Sequence, residues 1–161
     1  MLKILFVCLG NICRSPLAEA IFKNLLQKRG LEKKVYCESA GTSDYHIGSC
    51  PDHRTLENSR KNNIPIEHFA QQFSVSDFEK YDYIVAMDDS NKENILQLDK
   101  SGVKYIDKVY LLRDFDGEDS MDKNIPDPYF GGEEGFQQVY EMLNKSCIAF
   151  LDFLQSKHHL T

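Results

Sequence analysis

Near the start of the chain, Leu2, Ile4, Leu5, Phe6 and Val7 form an apolar run broken only by Lys3, as expected of a strand buried in a parallel sheet. The period then changes. Leu17, Ala18, Ile21, Phe22, Leu25 and Leu26 recur at helical spacing, and Gly30 follows as a C-terminal stop. Further strands are predicted over Val35 to Ser39, Tyr83 to Met87 and, more briefly, Val109 to Leu112. Ser76-Asp77-Phe78-Glu79 and Ser90-Asn91-Lys92-Glu93 match the capping box that opens helices. From Glu134 to about Gln155, the positions Phe136, Val139, Tyr140, Leu143, Cys147, Phe150, Leu151 and Leu154 predict a long amphipathic helix. Strands separated by helices need right-handed crossovers, so the pattern predicts an α/β fold with a parallel sheet covered on both faces. Ligands of such folds bind at the carboxyl ends of the strands.

Composition narrows the class. The chain has 161 residues, is 42% hydrophobic and contains neither a linker-like stretch nor an internal repeat, which fits a single domain over residues 1–161. A net charge of -6 argues against a nucleic-acid surface, where basic side chains must meet phosphates. The apolar start, with Cys13 as a lipid site, could be misread as a secretion signal. Asn11 and Arg14 interrupt it, and a small-residue cleavage site is missing. No segment is long enough to cross a membrane, so a cytoplasmic enzyme is the natural reading. Five cysteines, an odd number, point to reduced thiols rather than a disulfide scaffold. Cys37 and Cys147 read as small buried hydrophobes, and Cys50 as exposed. His46, His53, His68, His158 and His159 show no paired spacing with each other or with cysteine that would build a zinc site, and no cofactor is expected.

The candidate chemistry lies in Val7-Cys8-Leu9-Gly10-Asn11-Ile12-Cys13-Arg14-Ser15-Pro16. Ser15 is a good N-cap and Pro16 suits the first helical position, which places Cys8 between the end of a strand and the start of a helix. Unpaired N–H groups and the positive end of the helix dipole hold anions there, and phosphate is the obvious candidate. The same field favours a thiolate. Arg14 adds a planar fork able to grip two phosphoryl oxygens, and Gly10 and Asn11 tolerate unusual backbone angles.

This run resembles the signature loop of the low-molecular-weight protein tyrosine phosphatases. Glu38-Ser39-Ala40-Gly41-Thr42, Asp82-Tyr83-Ile84-Val85-Ala86-Met87-Asp88 and Ile125-Pro126-Asp127-Pro128-Tyr129 resemble further segments of that family, in the family's order. The resemblance implies a four-stranded parallel sheet and a phosphate-binding loop of Leu9, Gly10, Asn11, Ile12, Cys13 and Ser15. It makes Cys8 the nucleophile, Arg14 the phosphate clamp and Asp127 the general acid on a mobile loop. Ser15 would stabilise the thiolate, while Asn11, Ser39 and His68 would support the loop. Tyr45, Tyr129 and Phe130 would wall the pocket, with Tyr45 where the mammalian members have tryptophan and Phe130 where they have a second tyrosine. Cys13 would form a reversible disulfide with Cys8 under oxidation. The substrate would be a phosphotyrosine protein or a small aryl phosphate, and inorganic phosphate a product. The pH profile would be bell-shaped.

Two other readings share the loop. An arsenate reductase of the same fold needs two further cysteines on a mobile segment, and none lies between Cys50 and Cys147. A non-catalytic phosphotyrosine-binding module needs no acid, against which Asp127 between Pro126 and Pro128 counts. Neither GxGxxG nor GxxxxGK occurs, which sets nucleotide binding aside. Asp88, Asp89 and Asp99 read as helix starts or solvated charges.

Overall fold

A computed structural model describes residues 1–117 and 121–161. Its four strands are β1 (Leu2–Cys8), β2 (Val35–Gly41), β3 (Tyr83–Ala86) and β4 (Val109–Leu111), all parallel in the order β2-β1-β3-β4. The helices are α1 (Arg14–Lys28), α2 (His53–Lys61), α3 (Asp77–Lys80), α4 (Asp89–Leu96) and α5 (Glu133–His158). The register aligns Cys8 with Gly41 and Val7 with Ala86, so three strands end at one level beside the Cys8 loop.

Alternation along the central strand divides the core into two halves. Ile4, Phe6 and Cys8 face α1 and α5, while Leu5 and Val7 face Phe73, Phe78 and Ile95 on the opposite side. Phe150 is the hub of the first half. Its ring lies 4.5 Å from that of Phe115, 5.5 Å from Phe22, 5.8 Å from Tyr83 and 6.3 Å from Phe6. Cys37 and Cys147 are buried among these apolar groups, and Cys50 is exposed, as their contexts imply. Burial pushes the Cys37 and Cys147 thiols up, which suits packing rather than chemistry.

Several helix boundaries differ from the sequence reading. Helix α1 begins at Arg14 behind Cys13, so Ser15 is not its cap. The Ser15 hydroxyl instead turns inward, toward the Cys8 thiol and the Ala40 carbonyl. At the other end Gly30 does stop the helix, at φ 67°: Leu31 N–H donates to Leu26 O and Gly30 N–H to Gln27 O. Helix α4 is capped by Asp88, whose side chain accepts from Asn91 N–H, and not by Ser90. Asp88 is two residues closer to the end of β3, and its carboxylate has a second partner in Arg14. Helix α3 is a single short turn in which the Asp77 carboxylate reaches back to Ser74 N–H, leaving Ser76 without a capping bond. Helix α2 has no counterpart in the apolar pattern. It buries Thr55, Asn58 and Ser59, so its inward face is polar. Among the described residues no helix is long and apolar enough to cross a membrane.

Phe150→Ala removes the ring shared by both helices and the sheet, and is expected to lower the unfolding free energy by about 3–5 kcal/mol. Urea unfolding against wild type measures this; a loss below about 1 kcal/mol means the cavity collapses around the site.

Candidate active site

The carboxyl end of β1 delivers Cys8, and the chain then turns through residues 9–13 into α1. Thr42 and Ser43 N–H groups donate to the Cys8 and Leu9 carbonyls, which fastens the outside of the turn to the end of β2. Gly41 has to be small. A Cβ there would lie 2.7 Å from the Leu9 carbonyl oxygen and 3.1 Å from the Asn11 nitrogen. The backbone of Asn11 is left-handed, at φ 56°, where asparagine is one of the few side chains at ease.

The Asn11 amide holds that shape through four bonds. Its Nδ2 donates to Ser15 Oγ at 2.8 Å and to Ser39 Oγ at 3.0 Å. Its Oδ1 accepts from Gln71 N–H at 2.9 Å and pairs with His68 Nε2 at 2.7 Å. Because the Gln71 backbone can only donate, the amide orientation is settled and His68 must donate through Nε2. Behind these, Glu19 Oε2 accepts from Ser39 Oγ at 2.9 Å and lies 3.2 Å from His68 Nδ1, while Lys23 donates to Oε1 at 2.8 Å. Burial works to raise the Glu19 carboxyl, but the bonds from His68 and Lys23 outweigh it and hold the group below its ordinary value.

Cys8 Sγ lies 2.9 Å from Ser15 Oγ and 3.3 Å from Asn11 N, so its surroundings offer donors to a sulfur anion at the N-terminus of α1. Arg14 is buried at the same place. Its Nη1 donates to Asp88 Oδ2 at 2.6 Å and to the Ile125 carbonyl at 2.9 Å, and its Nη2 lies 3.5 Å from Asp127 Oδ2. Burial disfavours the Arg14 charge, yet Cys8, Asp88 and Asp127 more than offset this and keep the guanidinium above its ordinary value. Asp127 is partly exposed, and its Oδ1 accepts from Tyr129 N–H at 3.1 Å. Cys13 is buried beside Thr55, and burial pushes its thiol up to about 12.

These groups open onto a pocket of about 220 Å³ lined by Cys8, Leu9, Gly10, Ile12, Cys13, Arg14 and Asp127, with Tyr45, His46, Tyr129 and Phe130 at its sides. Of the residues expected from sequence, Cys8, Leu9, Gly10, Ile12, Cys13, Arg14, Tyr45, Asp127, Tyr129 and Phe130 line this pocket, while Asn11 and Ser15 of the expected phosphate loop stand behind it with Ser39 and His68. Four participants escaped the sequence reading. Asp88 signals only a helix start, although one of its oxygens caps α4 and the other fixes Arg14. Glu19 lies among the polar positions of an amphipathic helix, Gln71 contributes a backbone group, and His46 comes from an irregular segment; none of these leaves a pattern in the sequence.

A thiol at a helix N-terminus, a buried arginine and a carboxylate at the mouth of one pocket, at the carboxyl ends of a parallel sheet, define an anion-handling α/β protein of the cysteine-centred kind. The sequence profile of the low molecular weight phosphotyrosine protein phosphatases matches residues 3–160, and the chain belongs to that family of hydrolytic enzymes. The family's Schizosaccharomyces pombe member is 44% identical over 156 residues, covering 96% of this chain and 94% of its own. The human member is 38% identical over 150 residues, covering 93% and 94%. The crystal structure of a protein tyrosine phosphatase from Entamoeba histolytica, with Hepes in its active site, superposes with a TM-score of 0.90 at 36% identity, covering 99% of this chain and 100% of that one.

Glu19 yields a pH test. Its folded value lies below its unfolded one, so its contribution to stability is present above the ordinary carboxylate range, near pH 4.3, and is lost as pH falls through the folded value. Glu19→Gln is expected to be less stable than wild type at pH 7 by about 1–3 kcal/mol, and the gap to narrow as pH falls from about 5 toward 3. Urea unfolding at a series of pH values measures it, and a gap independent of pH would remove the charge from the account.

Proposed function

We propose that the chain hydrolyses phosphotyrosine in proteins, and small aryl phosphates, through a phosphocysteine intermediate on Cys8, with residues 1–161 acting as one catalytic domain. The observation that carries this is the convergence of Cys8, Arg14 and Asp127 on one pocket with aromatic sides. In the first step the Cys8 sulfur attacks phosphorus, the bond from phosphorus to the aryl oxygen breaks, and Asp127 gives that oxygen its proton. In the second step the Asp127 carboxylate takes a proton from water, the oxygen attacks phosphorus, and the phosphorus–sulfur bond breaks to release inorganic phosphate and the thiolate. Arg14 stays charged throughout. Nη1 is committed to Asp88 and Ile125, so the Nη2 edge, which meets Asp127 in this structure, is the one a phosphoryl oxygen takes. Tyr45 and Tyr129 flank the ring of the leaving group, whereas a phosphoserine is too short and offers no ring to stack.

Wild type is expected to hydrolyse a phosphotyrosine peptide without added metal, Cys8→Ser to be inactive, and Asp127→Ala to be slower by about 10²–10⁴-fold. Turnover by Cys8→Ser would overturn the reading.

Cys13 we assign as the redox partner. Peroxide converts the Cys8 thiolate to a sulfenic acid, and the Cys13 thiol displaces its oxygen as water to form the disulfide. After a peroxide pulse, dithiothreitol is expected to restore wild type but not Cys13→Ser; equal recovery of both would refute the pairing.

A further inference from the structure

The loop that carries Asp127 is fixed at its start and less so beyond it. Ile125 is held on both sides, its N–H by the Met87 carbonyl and its carbonyl by Arg14. Between there and the first residue of α5, the chain must hold both Asp127 and the Tyr129 wall. Besides Arg14, whose Nη2 meets Asp127, a second guanidinium reaches this stretch, from α2. Arg54, in the first turn of α2, donates through Nε to Asp52 Oδ1 and through Nη2 to Asp52 Oδ2, each at 3.0 Å, which is a two-point fork. Its remaining arm, Nη1, donates to the Gly131 carbonyl at 3.3 Å. Its carbon centre lies 5.4 Å from the Tyr129 ring centroid and 4.8 Å from that of Phe136 in α5, both within cation–π range. Asp52 is itself fastened to the phosphate loop, because its backbone N–H donates to the Ile12 carbonyl at 2.8 Å.

We propose that Arg54 is a positioning residue: together with Asp52 it ties the Asp127 loop to the phosphate loop and so sets where the acid stands relative to Cys8. This rests on the reaction proposed above. The chain of contacts runs from Ile12 through the Asp52 backbone and carboxylate to Arg54, and from there to Tyr129 and Gly131. Lysine would retain the charge over the rings but lose the fork.

The test compares kcat/KM for phenyl phosphate, 4-nitrophenyl phosphate and 2,4-dinitrophenyl phosphate, because a misplaced acid hurts most where the leaving group most needs a proton. Arg54→Met is expected to lower the phenyl ester about tenfold, part of the 10²–10⁴ that a placed acid supplies, and the dinitrophenyl ester by no more than about twofold. Arg54→Lys is expected to fall between Arg54→Met and wild type. Inhibition by inorganic phosphate should stay unchanged, and in an Asp127→Asn background Arg54→Met should add no leaving-group dependence. A uniform fall across the series, weaker phosphate inhibition, or an undiminished effect in Asp127→Asn would overturn the assignment. Amide exchange reads the tie without turnover: the Tyr129 and Gly131 N–H groups, which bond to Asp127 and Pro128, should exchange faster in Arg54→Met. Unchanged exchange refutes the tie, whereas a wild type that hydrolyses none of the esters while exchange still responds refutes the proposed reaction and leaves the tie standing.

Discussion

The site depends on one side-chain amide. Asn11 occupies a left-handed turn and uses all four hydrogen-bonding positions of its amide, two given and two received, on partners from α1, β2 and the segment after α2. A buried network of this kind strengthens each of its members when complete and is costly when any one is missing. Its completeness converts a flexible stretch between a strand and a helix into a rigid cup. The Cys8 sulfur is thereby presented to the donors of Ser15 and of the Asn11 backbone rather than to solvent.

Charge is divided along the same lines. The chain carries net negative charge, yet a cation, Arg14, is buried beside the pocket at the start of α1. A buried cation needs partners, and Asp88 and the Ile125 carbonyl supply them on the side away from the pocket. The acid network beneath Asn11 is kept apart from this. Glu19 satisfies Ser39, His68 and Lys23 without touching Arg14, so the supporting carboxylate and the buried arginine do not neutralise one another.

The sheet, α1 and α5 were legible because each buries a continuous apolar face, and periodicity reports burial. Helix α2 was not, since Thr55, Asn58 and Ser59 make its inward face, and a polar interface leaves no hydrophobic stripe. In the site, Cys8, Arg14 and the asparagine turn were readable as local chemistry, and Asp127 through its flanking prolines and the family resemblance. Asp88 and Glu19 were not readable, because their roles arise from residues 74 and 20 positions away and from no local spacing. The Ser15 cap failed for a related reason: a long-range partner for the hydroxyl prevailed over the local bond that serine favours at a helix start.

The two oxygens of Asp88 serve a helix and an arginine at once, and that arginine also holds the carbonyl of Ile125. Cys8, the proposed nucleophile, and Arg14 therefore precede the groups that set them, Asp88 lying 74 positions after Arg14 and Ile125 111. A growing chain on the ribosome carries Cys8 and Arg14 before the partners that place the guanidinium, which arrive only after β3 and again with Ile125. Until those residues are threaded into place, the half-made chain has a cysteine and an arginine but no site. The proposed reactivity is thus deferred to the completed fold.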